Sequence, residues 1–366
     1  MKICYIAEAT SIPTQRWVNH FAKKGHETHL ISWVQGGQYD ASVKTYWLAR
    51  FLPQLWGITK HLGIFTWPVQ TRQLVSKIKP AIIEGHWLTI AAVLIATSGF
   101  TPIILNAWGS GVLIYAQKSP VWRYIIKHAL TKASIVTCNS QLMRTELIKL
   151  NTHPDKIRII YPGVKTEQFS SQHRSDKLRN QLKLKDDPTI ISTRNLKQIY
   201  NVELLIKAIP FVLKQMPDAK FVICGDGEQK SYLNALARSL GILNSVRFTG
   251  SIAHNDLPAF LASSDAYVST SLSDSSSLSL HEAMSTELPV VVTDHPSNRE
   301  LIDDNETGFL VPPDDEKGLA KKILLLLKDK ELATRFGKSG RELISQKANY
   351  YTEMQKVEKI YEEIAS

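Results

Sequence analysis

Short apolar runs alternate with longer helix-patterned stretches along the whole chain, and this alternation limits the possible folds more than any other feature. KICYIAE, HETHLISW, AIIEGHW, TPIILNAW and SIVTCNS have the length and β-branched content of strands. Between them, QRWVNHFAKKG and SPVWRYIIKHALTKA space their apolar residues near the 3.6 period of a helix. The pattern then repeats. TIISTR, KFVICGDG, VRFTGS, AYVSTS and LPVVVTD alternate with NVELLIKAIPFVLKQMP, EQKSYLNALARSLGI and HNDLPAFLASS. Such alternation builds βαβ units and parallel sheets, so two series predict an α/β protein of two doubly wound domains. The length of 366 residues agrees, because single cores rarely grow beyond about 250–300 residues. The break falls at IRIIYPGVKTEQF, residues 157–169, where Pro162-Gly163 supplies a sharp turn and a polar stretch follows. We assign 1–165 to an N-terminal domain, 166–345 to a C-terminal domain and 346–366 to a terminal helix.

The 43% hydrophobic content argues against disorder, which needs low hydrophobicity. No apolar run approaches the ~18 residues of a membrane span. MKICYIAEAT reads as a first strand, not a signal peptide, because Glu8 closely follows its short apolar run. A soluble, cytoplasmic protein is expected. Cys4, Cys138 and Cys224 lie far apart inside or at the end of strand-like runs and read as buried free thiols. The histidines show no HExxH or HxxxH spacing, and no metal site is expected. The net charge is +10, unevenly placed: residues 1–170 hold 19 basic against seven acidic residues, and the remainder 25 against 27. The basic half calls for an anionic partner; nucleic acid, acidic membrane and phosphorylated substrate are all consistent with it.

The region richest in chemistry is SDSSSLSLHEAMSTELPVVVTDHPSNRELI, residues 273–302. Asp274, Ser275, Ser276 and Ser277 follow a strand and precede a helix pattern, and serine and aspartate are good N-caps. A helix starting near Leu278 would present free N–H groups and its dipole to a phosphate. On the residues alone, that reading and a plain capped helix with a solvated Glu282 stand level. The stretch resembles the signature of retaining glycosyltransferases of the GT-B fold, family 4, in which E-x7-E precedes LEAMAxGxPVV. Here the pattern is D-x7-E, Asp274 to Glu282, followed by HEAMSTELPVV and Asn298-Arg299-Glu300.

The resemblance implies two Rossmann-like doubly wound domains facing across a cleft. It implies that Glu282 holds the nucleotide ribose, that Asp274 contacts the transferred sugar, and that backbone N–H groups at Ser277, Leu278 and Ser279 hold the diphosphate. Further motifs extend it. ISTRNLKQIY resembles the GRL strand end and its lysine, placing Arg194 and Lys197 on the diphosphate. FVICGDGEQK resembles the strand and GxG turn, with Gly225 and Gly227; Lys230 stands where a dinucleotide fingerprint needs its third glycine. VRFTGSI resembles the segment whose backbone, at Ile252, reads the base. GHW places His86 at the donor sugar. AWGSG, with Trp108, Gly109 and Ser110, is similar to a WGSD variant in which Gly111 replaces the aspartate. EATSIPTQRW resembles an SxxTRRW loop, so Ser11, Thr14 and Arg16 are expected to face the acceptor. The terminal helix NYYTEMQKVEKIYEEI is expected to cross back to the N-terminal domain.

Residues 44–79 interleave Trp47, Phe51, Trp56, Phe65 and Trp67 with Lys44, Arg50, Lys60, Arg72, Lys77 and Lys79. This reads as surface helix in two pieces on anionic lipid, or as aromatics packed on the sheet beside solvated lysines. The resemblance as a whole implies a retaining, metal-independent hexosyltransferase that needs no cofactor. Its substrate would be a UDP- or GDP-sugar and its acceptor a glycan or lipid-linked molecule, with peripheral placement at the inner face of the plasma membrane. A nucleotide-sugar epimerase and a nucleotide-sugar-binding relative without transferase activity are the rival readings. No nucleic-acid module is present.

Overall fold

A computed structural model of the chain describes residues 1–48 and 63–365. The chain divides into two compact units: Met1–Ile160 with Met354–Ser366, and Tyr161–Glu353. The first unit holds β1 (Lys2–Ile6), β2 (Glu27–Ser32), β3 (Lys44–Trp47), β4 (Ile82–His86), β5 (Ile103–Ala107), β6 (Ile135–Cys138) and β7 (Ile157–Ile159). The second holds β8 (Thr189–Ser192), β9 (Lys220–Cys224), β10 (Val246–Gly250), β11 (Ala266–Ser269), β12 (Val290–Thr293) and β13 (Phe309–Val311).

Every strand pairing is parallel, in the orders β3-β2-β1-β4-β5-β6-β7 and β10-β9-β8-β11-β12-β13. Parallel strands are covered on both faces. Accordingly β4, β5, β6, β8, β11 and β12 are buried along their whole length. Strand order reverses between β1 and β4 in the first sheet and between β8 and β11 in the second. At such switch points the loops leaving adjacent strands part, and a crevice opens at the carboxyl ends. His86 ends β4, Arg194 lies just past β8, and Asp274 lies in the loop after β11.

The structure corrects the start of the 44–79 reading, while Gly63–Ile78 is helical as that reading expected. Residues 44–47 form an edge strand on β2, with His29 opposite Lys44 and Ser32 opposite Trp47, not the start of a helix. Trp67 is buried in the core of the first unit. Arg50, Phe51, Trp56 and Lys60 lie outside the described residues. The three cysteines are free and buried. Among the described residues no helix is long and apolar enough to cross a membrane.

Candidate functional site

In the second unit, Ser277 caps the helix Leu278–Ser285: its Oγ accepts from the N–H of Leu280. This places the helix start, with its unsatisfied N–H groups, at the β8/β11 switch point. Arg194 reaches the same place from the loop after β8. Its guanidinium donates to Asp274 at 2.6 Å, to Ser277 Oγ at 2.6 Å and to Ser279 Oγ at 2.8 Å. It lies over the ring of Tyr200, 4.1 Å from the centroid. Tyr267 on β11 donates to Ser279 Oγ at 2.8 Å. Burial pulls the Arg194 pKa down, but Asp274 and the Tyr267 and Tyr200 hydroxyls outweigh it, leaving it above the ordinary value and the group charged.

Arg194 and Asp274 are therefore joined to each other, where separate contacts to diphosphate and sugar were expected. Lys197 is exposed, so of the two expected cations it is the one facing solvent. Gly225 and Gly227 have φ of +145° and +158°, and a Cβ on either would stand 2.4 Å from the carbonyl oxygen of Arg194 or Leu196. The glycines let the turn after β9 lie directly against the loop that carries Arg194. In this structure the close approach is that of one backbone to another.

Glu282 is buried, and its Oε1 pairs with His254 Nε2 at 2.8 Å; His254 in turn packs on Phe169. Ile252, two residues before His254, is half-buried against the neighbouring core. His281 Nδ1 lies 2.9 Å from the carbonyl of Pro162, which can only accept, so Nδ1 carries the proton. Burial pushes this imidazole down to about 4, partly opposed by that hydrogen bond. The ring is thus neutral near pH 7, and Nε2 accepts from Ser276 at 3.1 Å. His254, His281, Tyr200 and Tyr267 were not anticipated; their roles arise from contacts between segments distant in sequence.

In the first unit, His86 is wholly buried. Nδ1 meets Thr14 Oγ1 at 3.1 Å and Nε2 meets Glu84 at 3.3 Å, with the rings of Tyr5, Trp17 and Trp108 around it. Glu84 also accepts from Asn106 and from Tyr361, a residue of the C-terminal helix. The indole of Trp17 donates to Tyr361 Oη at 3.1 Å. Because the single Tyr361 proton goes to Glu84, Tyr5 donates to Tyr361 in their 3.2 Å contact. Burial and the Glu84 charge hold both tyrosines well above 10, so they stay protonated.

Both His86 nitrogens are thus engaged inside this network, and Thr14 is buried with them, where a surface facing the acceptor was expected. Ser11 caps the helix Ile12–Lys23 and lies 3.4 Å from Trp87 Nε1. Arg16, Trp108 and Ser110 are half-buried, and Gly109 takes φ +130°. A Cβ at Gly111 would meet the Leu88 carbonyl oxygen at 2.4 Å, so the backbone here leaves no room for the aspartate of the WGSD variant.

Comparison with known proteins agrees with both units. A family model described as "Glycosyl transferases group 1" matches residues 174–343, and one described as "Glycosyl transferase 4-like" matches residues 2–140. The chain belongs to the group 1, family 4-like glycosyltransferases and has the GT-B fold. It is 27% identical over 284 residues to the sulfoquinovosyl transferase SQD2 of Arabidopsis thaliana, a match covering 73% of this chain and 54% of that protein. It is 25% identical over 234 residues to a GDP-mannose-dependent phosphatidylinositol monomannoside mannosyltransferase of Mycobacterium tuberculosis, covering 62% of this chain and 61% of the relative. The matches thus span a little over half the length of these relatives. Anabaena HepE, solved in complex with UDP, superposes with a TM-score of 0.81 at 19% identity over 99% of this chain and all of that one.

Proposed function

We propose that the protein transfers a hexose-type sugar, with retention, from a UDP- or GDP-sugar to a glycan or lipid-linked acceptor. The observation that carries this reading is the grouping of Arg194, Asp274 and the capped start of the helix Leu278–Ser285 at one switch point, with buried Glu282 farther along the same helix. Free helix N–H groups and a guanidinium suit a departing diphosphate without calling on a metal. Glu282 offers a carboxylate to ribose hydroxyls, and Asp274 one to the sugar. Charge separation at the anomeric carbon would give an oxocarbenium-like transition state. The leaving phosphate would accept the acceptor's proton on the same face. The similarity to a GDP-mannose-dependent transferase and to a protein solved with UDP supports the donor class.

His86, Trp108, Gly109, Ser110, Ser11, Thr14 and Arg16 keep the sugar- and acceptor-side roles that the family resemblance gives them. For His86 and Thr14, contact with a ligand requires exchange of the hydrogen bonds described above. We also propose that the first unit works peripherally at an anionic membrane, at the cytoplasmic face. The support is the helix Pro120–Lys132, which exposes Val121, Tyr124 and His128 beside Lys118, Arg123 and Lys132. No acidic residue lies between Glu84 and Glu146.

Glu282→Ala is the direct test of the donor site. It should abolish turnover of UDP- and GDP-sugars while thermal unfolding stays cooperative. Near-normal turnover would refute the assignment. Sugar-nucleotide conversion without any acceptor would favour an epimerase, and nucleotide binding without turnover a non-catalytic relative.

A further inference from the structure

The loop after β12 reads Thr293-Asp294-His295-Pro296-Ser297-Asn298-Arg299, and it is braced at three points. Arg299 grips both carboxylate oxygens of Asp294 at 2.5 and 2.8 Å. The Asn298 side chain donates to the Thr293 carbonyl at 2.8 Å. Ser297 Oγ holds His295 Nδ1 at 3.1 Å. The imidazole is therefore fixed in place, yet its Nε2 is buried and has no hydrogen-bond partner. A buried polar nitrogen left unpaired loses its hydration with nothing in return, so such an atom in a braced loop calls for an explanation.

Its location supplies one. β12 neighbours β11 in the sheet, so this loop leaves the same end of the sheet as the loop carrying Asp274, and the ring feels the charges of both Asp274 and Arg194. Burial holds the imidazole below its ordinary pKa, which favours a neutral ring that can either give or take one hydrogen bond. The nearby Arg194 charge is already matched by Asp274. A neutral polar ligand group fits such a spot better than another phosphate, and a sugar hydroxyl can both donate and accept.

We propose that His295 is a specificity-determining residue of the donor site, its Nε2 reading one hydroxyl of the sugar carried by the nucleotide. This rests on the donor reading above and adds to it which side chain tells the sugar from the bare nucleotide.

The test is calorimetric binding of UDP, UDP-glucose, GDP and GDP-mannose to the wild type and three variants. In His295→Ala, the affinity for the preferred sugar nucleotide should fall roughly tenfold, the scale of one lost hydrogen bond, while that for the matching diphosphate changes less than about twofold. His295→Gln, whose amide reaches the Nε2 position, should restore much of the loss; His295→Asn, which replaces only Nδ1, should not. Unchanged sugar-nucleotide affinity in His295→Ala would overturn the proposal and leave the donor site standing, as would a parallel fall for diphosphate and sugar nucleotide. A wild type that binds none of the four would overturn both.

Discussion

His281 shows how a single side chain organises the candidate site. Its Nδ1–H is committed to the Pro162 carbonyl and its Nε2 to the Ser276 hydroxyl, tying the serine loop to the segment that begins the second unit. The tie works only while the ring is neutral. Its folded pKa of about 4 lies below the ordinary imidazole value of 6.5, so between those values the unfolded chain binds more protons. Stability contributed by this residue is complete above the unfolded value and is lost as pH falls toward the folded one, at no more than ~1.4 kcal/mol per pH unit. His281→Leu should remove that slope. Urea midpoints at pH 7, 6 and 5 for both proteins would show it, and parallel pH profiles would count against the assignment. The histidine was legible in the sequence only as a departure from the family's leucine in LEAM. Its partner at Pro162 is more than a hundred residues away, and no local pattern encodes that contact.

Among the elements, sequence periodicity reported the buried strands well, because a strand covered on both faces must be apolar along its length. It failed at the edge. β3 exposes Lys44, Thr45 and Trp47, so its composition resembles an amphipathic surface helix, and only pairing with β2 makes it a strand. β13 is three residues long, too short to carry a period. The start of the helix Leu278–Ser285 was legible because a serine cap is a local device; Arg194 and Asp274 were legible as two residues but not as a pair.

The helix Pro120–Lys132 raises the membrane question again at this scale. Val121 is 68% and Tyr124 73% exposed, unusual for such side chains beside so many cations. Each basic residue close to an anionic surface contributes about 1 kcal/mol. Wild-type protein should float with vesicles containing phosphatidylserine and not with pure phosphatidylcholine. Val121→Ser combined with Tyr124→Ser should reduce the bound fraction severalfold. Equal flotation with both vesicle types, or none, would remove the membrane role.

At the scale of the whole molecule, the buried network around Glu84 joins the two ends of the chain. Tyr361 supplies the proton that Glu84 accepts and the oxygen that Trp17 and Tyr5 donate to. Tyr361→Phe keeps the ring against Phe21 but leaves a buried carboxylate oxygen and a buried indole N–H short of a partner. We expect a loss of roughly 2–4 kcal/mol in unfolding free energy, read from denaturant midpoints. Tyr5→Phe removes only one donor to Tyr361 and should cost less than ~1.5 kcal/mol. If the two substitutions proved equivalent, the assigned direction of these hydrogen bonds would be wrong.

The two units differ in one further respect. The second, Tyr161–Glu353, is one continuous stretch, whereas the first needs Met354 onward to be whole. Synthesis runs from the N-terminus, and domains generally fold as units once their chain is available. The unit begun first is therefore the one finished last. Its β1–β7 sheet must wait, with the Glu84 carboxylate still lacking Tyr361, until the ribosome has made the whole of the second unit. A stop codon or proteolytic cut near residue 353 would spare the contiguous second unit and strike the first, which was begun far upstream of the cut.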